Sequence, residues 1–184
     1  MSNTPLTELT GEYVLDPAHT RIGFSARHAM VTKVRGFFKE FEGRAHLDGS
    51  DPTKSSVTVT IKTASIDTGN EQRDGHLRTN DFLDAPKFPD ILFSSTGIEA
   101  LGGDRYRLNG NLTVKDVTRP IGLEVEFDGS ARDPYGNLRV GFEGSTTISR
   151  KDYGITWNAS LEGGGVLVGD KVTLEFDVSA IRQD

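Results

Sequence analysis

A period of two governs this sequence and points it toward folds made of strands. Over residues 56–62, Val57, Val59 and Ile61 alternate with Thr58, Thr60 and Lys62. Successive side chains of a strand point to opposite faces, so such a segment buries one face and shows the other to water. The pattern recurs along the chain. Over 21–28, Ile22, Phe24 and Ala26 share one face, with Gly23, Ser25 and Arg27 on the other. Residues 33–48 read as one long strand, with Phe37, Phe41, Ala45 and Leu47 on one parity and Phe38, Glu40, Glu42, Arg44 and His46 on the other. Gly36 and Gly43 mark places where so long a strand bends or bulges. A short first strand is expected at 12–15, ended by Asp16-Pro17. Residues 91–96 pair with 106–114 across a turn at 101–104. Alternation returns at 121–127, at 138–148 and at 172–178, with Leu138, Val140 and Phe142 on one face and Val172, Leu174, Phe176 and Val178 inward.

About eight substantial strands result, several of them roughly 30 Å long. Their hairpin succession favours an antiparallel sheet closed on itself, because closure removes exposed edges. An eight-stranded barrel is just wide enough to be filled by side chains or to hold one small ligand. Periodicity thus leads to a barrel or a sandwich; it does not by itself lead to a cavity.

One stretch, residues 66–95, breaks the period. It is dense in charge and reads as a single short helix near residues 70–84. Thr68 and Glu71 have the spacing of a capping box, and Asn70 is the rival N-cap. Pro86 and Pro89 lack the N–H that a helix interior needs, which ends the helix before Ala85. Too short to stand alone, it must lean on apolar partners through Leu77, Phe82 and Leu83.

Composition removes several classes of function. There are no cysteines, so disulfides and thiolate chemistry are absent. The formal charge of −6 gives no reason to approach nucleic acid or an anionic bilayer. No run nears the roughly 20 apolar residues of a membrane-spanning helix. His19, His28, His46 and His76 are scattered without ligand spacing, so no metal is expected. No nucleophile elbow or dinucleotide fingerprint occurs, and neither a catalytic residue nor a cofactor is expected. Residues 1–10 read as a flexible tail and 11–184 as one domain. As written, without a leader, the chain is expected in the cytoplasm; a trimmed leader would make it an exported protein.

The helix segment also carries a resemblance. Arg73-Asp74-x-His76-Leu77, followed by Asp81-Phe82-Leu83-Asp84-x-x-Lys87-Phe88-Pro89 and Phe93, resembles the YceI-like family of lipid-binding proteins. Leu15-Asp16-Pro17-Ala18-His19-Thr20-x-Ile22-x-Phe24 resembles its first strand, and Gly110-Asn111-Leu112-Thr113-Val114-Lys115-Asp116-Val117-Thr118-Arg119-Pro120 its central hairpin. Lys115-Asp116 stands where such a turn often has glycine. Ser149-Arg150-Lys151-Asp152-Tyr153-Gly154 resembles a turn near the family's end. The likeness spans about residues 13–181. It implies an all-β, elongated, antiparallel eight-stranded lipocalin-like barrel holding a polyisoprenoid or other long-chain amphiphile, such as a quinone precursor or fatty amide. It also implies a possible homodimer.

On that resemblance the inward parity becomes a tunnel wall. The ligand-binding residues expected are Phe24, Phe41, Val59, Ile61, Phe93, Leu108, Leu112, Leu123 and Phe142. Leu77 and Phe82 join them as a lid, and Trp157 as a barrel plug. Arg73 and His76 are expected to reach a head group, an arginine fork suiting phosphate. Their alternative role, with Asp74 and Asp81, is to fasten the helix to the sheet. Two other functions stay open: an enzyme acting on a lipid-like substrate, and an interaction module with a solid core.

Overall fold

The computed structural model describes residues 4–184. The chain runs through β1 (Gly11–Leu15), β2 (Arg21–His28), β3 (Thr32–Phe38), β4 (Phe41–Leu47), β5 (Ser56–Lys62) and β6 (Ile66–Asp67). One helix follows, α1 (Glu71–Leu77). The rest is β7 (Asp90–Gly102), β8 (Arg105–Val114), β9 (Val117–Arg132), β10 (Leu138–Ser149) and β11 (Val168–Gln183). Eight of these close a ring in the order β1-β4-β5-β7-β8-β9-β10-β11 and back to β1, every pair antiparallel. The expected elongated eight-stranded barrel with one short helix is what forms.

The three remaining strands extend the wall. β11 is long enough to serve two neighbours on one side. Its first part, from Val168 to Asp177, pairs with β2, and its last, from Ala180 to Gln183, with β1. β3 then pairs with β2, and β6 with β3. The wall beside β11 is therefore built twice, from β1 and β4 at one end and from β2, β3 and β6 at the other.

That arrangement splits the stretch expected as one strand over 33–48. The chain leaves β3 at Phe38 and enters β4 at Phe41. Between them Lys39 N donates to Ser65 O at 3.1 Å, and Glu40 O accepts from Lys62 N at 2.9 Å. The two-residue step changes the phase. Phe38 lines the interior, whereas Phe37, expected inward, lies outside under the Arg21 guanidinium at 4.6 Å. Gly36 is no bulge; it is where Phe24 of the neighbouring strand lies flat, and a Cβ there would meet the Phe24 ring at 2.6 Å.

The tail is also ordered where it is described. Residues 6–9 form a 3₁₀ turn (Leu6–Leu9), and Leu9 is buried. The Tyr13 hydroxyl donates to Leu9 O at 2.7 Å, and Arg182 Nη1 to Glu8 O at 2.9 Å. Of the span 1–10 expected to be flexible, residues 1–3 lie outside the described residues, and the rest plugs one end of the barrel.

α1 covers the other end. Asn70, rather than Thr68, is its N-cap and accepts from Arg73 N at 2.9 Å. Thr68 serves Asp74 instead, donating through N at 2.9 Å and Oγ1 at 2.5 Å. The helix stops at Leu77, and turns carry the chain through the two prolines to β7. Two apolar clusters fill the molecule. One gathers Ile61, Phe82, Phe93, Leu112, Leu123 and Tyr153 beneath α1. The other gathers Leu9, Tyr13, Leu138 and Val140 at the plugged end.

Candidate functional site

The inward faces of the ring do not meet. They enclose a cavity of about 410 Å³ whose exposed lining is almost wholly apolar. Its wall extends from Leu9 and Leu47, past Phe93, Leu112 and Leu123, to Ile155 and Val168. Alternation explains the chemistry: each long strand contributes every second residue, and most of those residues are branched aliphatics or phenylalanines.

The structure places Phe24, Val59, Ile61, Leu77, Phe82, Phe93, Leu108, Leu112, Leu123 and Phe142 on this lining. Leu77 and Phe82 reach it from the helix segment, as a lid does. Two expected wall residues stand off it. Phe41 lies opposite Ile61 on the inner face, half-buried and packed against both apolar clusters, but it does not reach the cavity. Trp157 lies over the lid: its ring is 4.8 Å from His76 and 5.3 Å from Phe82, and His76 is 5.0 Å from Phe82. Such tilted and edge-on contacts are worth about 0.5–1.5 kcal/mol per pair beyond buried area. They pin α1 to the segment 154–167.

Arg73 and His76, expected at a head group, are also off the lining. Arg73 Nε donates to Thr68 Oγ1 at 2.7 Å and Nη2 to Thr68 O at 2.8 Å. His76 Nε2 lies 2.8 Å from Asp81 Oδ2. Their side chains fasten the helix, with Arg78 adding bonds to Ala64 O at 2.9 Å and Ile66 O at 3.1 Å.

Sequence reasoning missed part of the lining. Phe38 was hidden by the phase change. Leu9 was read as tail, and Tyr13 only as part of a short first strand. Arg150 and Tyr153 line the cavity near α1, yet a charged turn gives no hint of burial. Burial holds the Arg150 guanidinium below its ordinary pKa and raises the Tyr153 phenol. For metals, the described residues bring together one carboxylate trio, Glu126, Asp128 and Glu143, all exposed on the outer wall. Burial raises the Asp128 carboxyl, and the Asp128 charge raises that of Glu143. No helix among the described residues is long and apolar enough to cross a membrane.

Comparison with known proteins gives this geometry a lineage. A UPF0312 protein of Azotobacter vinelandii is 38% identical over 149 residues, covering 80% of this chain and 78% of its own. BcnA of Burkholderia cenocepacia superposes with a TM-score of 0.78 at 23% identity, over 90% of this chain and 98% of its own. A polyisoprenoid binding domain from Saccharophagus degradans superposes at 0.68 with 14% identity, over 93% and 98%. At those identities the two structures speak for the fold alone. The family model of the YceI-like domain matches residues 13–180, and the chain belongs to the YceI-like family.

Proposed function

We propose that the chain binds one long-chain amphiphile inside the barrel and carries or stores it without chemical change. The cavity carries this reading. Its volume of about 410 Å³ falls within the roughly 300–1,000 Å³ typical of small-molecule sites. A packed core leaves no such space. At about 24 cal/mol per Å³ of apolar void, leaving it dry and empty would cost on the order of 10 kcal/mol, as much as a whole domain's stability. An occupant that fills the space offsets that cost, and a solid-core interaction module has no use for it.

Hydrocarbon burial supplies the affinity. At about 0.8 kcal/mol per CH₂, ten carbons reach about 8 kcal/mol, nominally micromolar, before ordering costs. Such a wall selects by length and bend more than by detail. A polyisoprenoid, a quinone precursor or a fatty amide each meets that requirement, and the shared fold with a polyisoprenoid binding domain favours this class. Against an enzyme stands the placement of the His76–Asp81 pair, which lies off the lining and braces the lid.

The test is native mass spectrometry on protein purified without detergent, followed by solvent extraction. A stoichiometric long-chain adduct on the 20.1 kDa chain is expected. Protein that arrives empty and takes up no isoprenoid, quinone or fatty amide would overturn the carrier reading in favour of the interaction module. The same spectrum counts subunits and so tests the homodimer expected from the resemblance.

A further inference from the structure

The cavity ends against two polar side chains that the lid does not explain. After β10 the chain makes a 3₁₀ turn (Arg150–Tyr153), released by Gly154 at φ 74°. The turn brings Arg150 and Tyr153 to the lining, 4% and 2% exposed. A buried guanidinium is tolerated only where its donors are met. Arg150 Nε donates to Gly169 O at 2.9 Å, and Nη1 to Ile155 O and Trp157 O, both at 2.9 Å. Nη2 donates to Val168 O at 3.2 Å. These bonds staple the segment 154–169 to the barrel, and they use four of the five N–H groups a guanidinium carries.

All four acceptors are neutral carbonyls. The acid nearest in effect, Asp170, accepts from Ser149 Oγ at 2.6 Å and Lys151 N at 3.3 Å, and it pairs with no arginine. A full positive charge therefore stands at the cavity's end with one N–H unspent. Tyr153, three residues on, has a buried hydroxyl with no partner among the described residues. Burial raises its pKa, so the phenol keeps its proton and remains a donor. A stranded buried donor is a cost that phenylalanine, of the same shape, would not carry. The second orphan hydroxyl, on Thr63, lies off the lining. Two unspent donors on one turn, at the end of a cavity whose exposed surface is almost wholly apolar, make a site short of one acceptor.

We propose that this turn is the head-group subsite: an amphiphile's carbonyl or carboxylate oxygen accepts from the Tyr153 hydroxyl and from the unspent Arg150 N–H, while its chain runs through the barrel toward Leu9. This rests on the amphiphile-binding function above and adds a ligand class and an orientation to it. The exposed lining is almost wholly apolar, so the oxygen reaches these donors by displacing the side chains that cover them.

Tyr153→Phe tests it, because the change removes the hydroxyl and nothing else. Dodecanoate, dodecanamide and dodecane are titrated into wild type and variant, and both are melted. Expected are an equal or higher melting temperature and about 10-fold weaker binding of the headed probes, the worth of one hydrogen bond. Dodecane binding stays unchanged. A fall in both headed probes marks carbonyl acceptors in general, and a fall in dodecanoate alone marks anionic heads; either supports the subsite. Equal affinity of both proteins for both headed probes overturns it while leaving the carrier function standing. Wild type that binds none of the three overturns the carrier function and the subsite together.

Discussion

Ala26 offers the sharpest test that the cavity holds a chain. It sits in β2 opposite Val34 of β3 and Val172 of β11, and it lines the cavity. In Ala26→Phe a ring enters space that the ligand needs. If the ring displaces about four methylenes, at about 0.8 kcal/mol each, the ligand loses about 3 kcal/mol, a drop of roughly 150-fold in affinity. Folding responds differently. Overpacking a dense core costs about 1–3 kcal/mol, but here the ring enters open space and its burial returns a similar amount. The melting temperature is expected to move by only a few degrees. The assay is thermal melting beside titration with a long-chain fatty amide. Affinity that survives the substitution, or that falls only in step with stability, would refute the tunnel.

Three further outcomes follow from the same geometry. Asp74→Ala strips the carboxylate that holds Thr68 N and Oγ1; a loss of about 2–4 kcal/mol, with faster hydrogen exchange at 71–77, is expected, and unchanged protection there would deny that Asp74 docks the helix. Gly49→Ala places a Cβ 1.7 Å from Leu6 O, so the plug must lift, at a cost of about 1–3 kcal/mol and with faster proteolysis near residue 6; a cleavage pattern like the wild type's would show the plug to be loose already. Asp133 gives a pH signature. Burial works to raise its carboxyl, but bonds from Asn137 N, Arg139 Nε, Asn137 Nδ2 and Tyr135 N prevail and bring it down to about 2. A pKa depressed in the folded state lends stability that is complete above the unfolded value of about 3.9 and is lost as pH falls toward 2. Asp133→Asn is expected to flatten the fall in stability over that window, and parallel acid-melting curves would count against it.

Most of the wall was legible because one rule, alternate residues face alternate sides, holds wherever a strand runs unbroken. Val57, Val59 and Ile61, or Leu123 and Phe127, needed nothing more. The rule fails where the backbone gains or loses a residue. β7 slips between Ser95 and Gly97, which brings Ile98 to the lining after Ile91 and Phe93. β9 slips opposite Gly141 and Phe142, and the inward parity passes from Phe127 to the buried Ser130. Both bulges carry a glycine, Gly97 and Gly129, which alternation alone does not weigh. Arg150 was illegible for another reason. Charge in a turn ordinarily means solvent, and here it means the opposite, because carbonyls 5 to 19 residues away fold back to receive it. Only Gly154, which releases the turn, was a local cue.

The step at Lys39 and Glu40 shows what these irregularities do for the barrel. A ring of eight strands fixes the width, so capacity for a long ligand has to come from height. Height needs long strands, and β9 and β11 have 16 residues each. A first strand of 5 residues cannot face β11 along its whole length. The chain meets the shortfall by using β2, β3 and β6 for the other half of the same wall, and it must then cross from one half to the other. Lys39 and Glu40 are that crossing. A strand that continued unbroken from 33 to 48 would keep Phe37 inward and Phe38 outward. The change of phase that defeats the sequence pattern thus sits where the wall passes from its β2, β3 and β6 half to its β1 and β4 half.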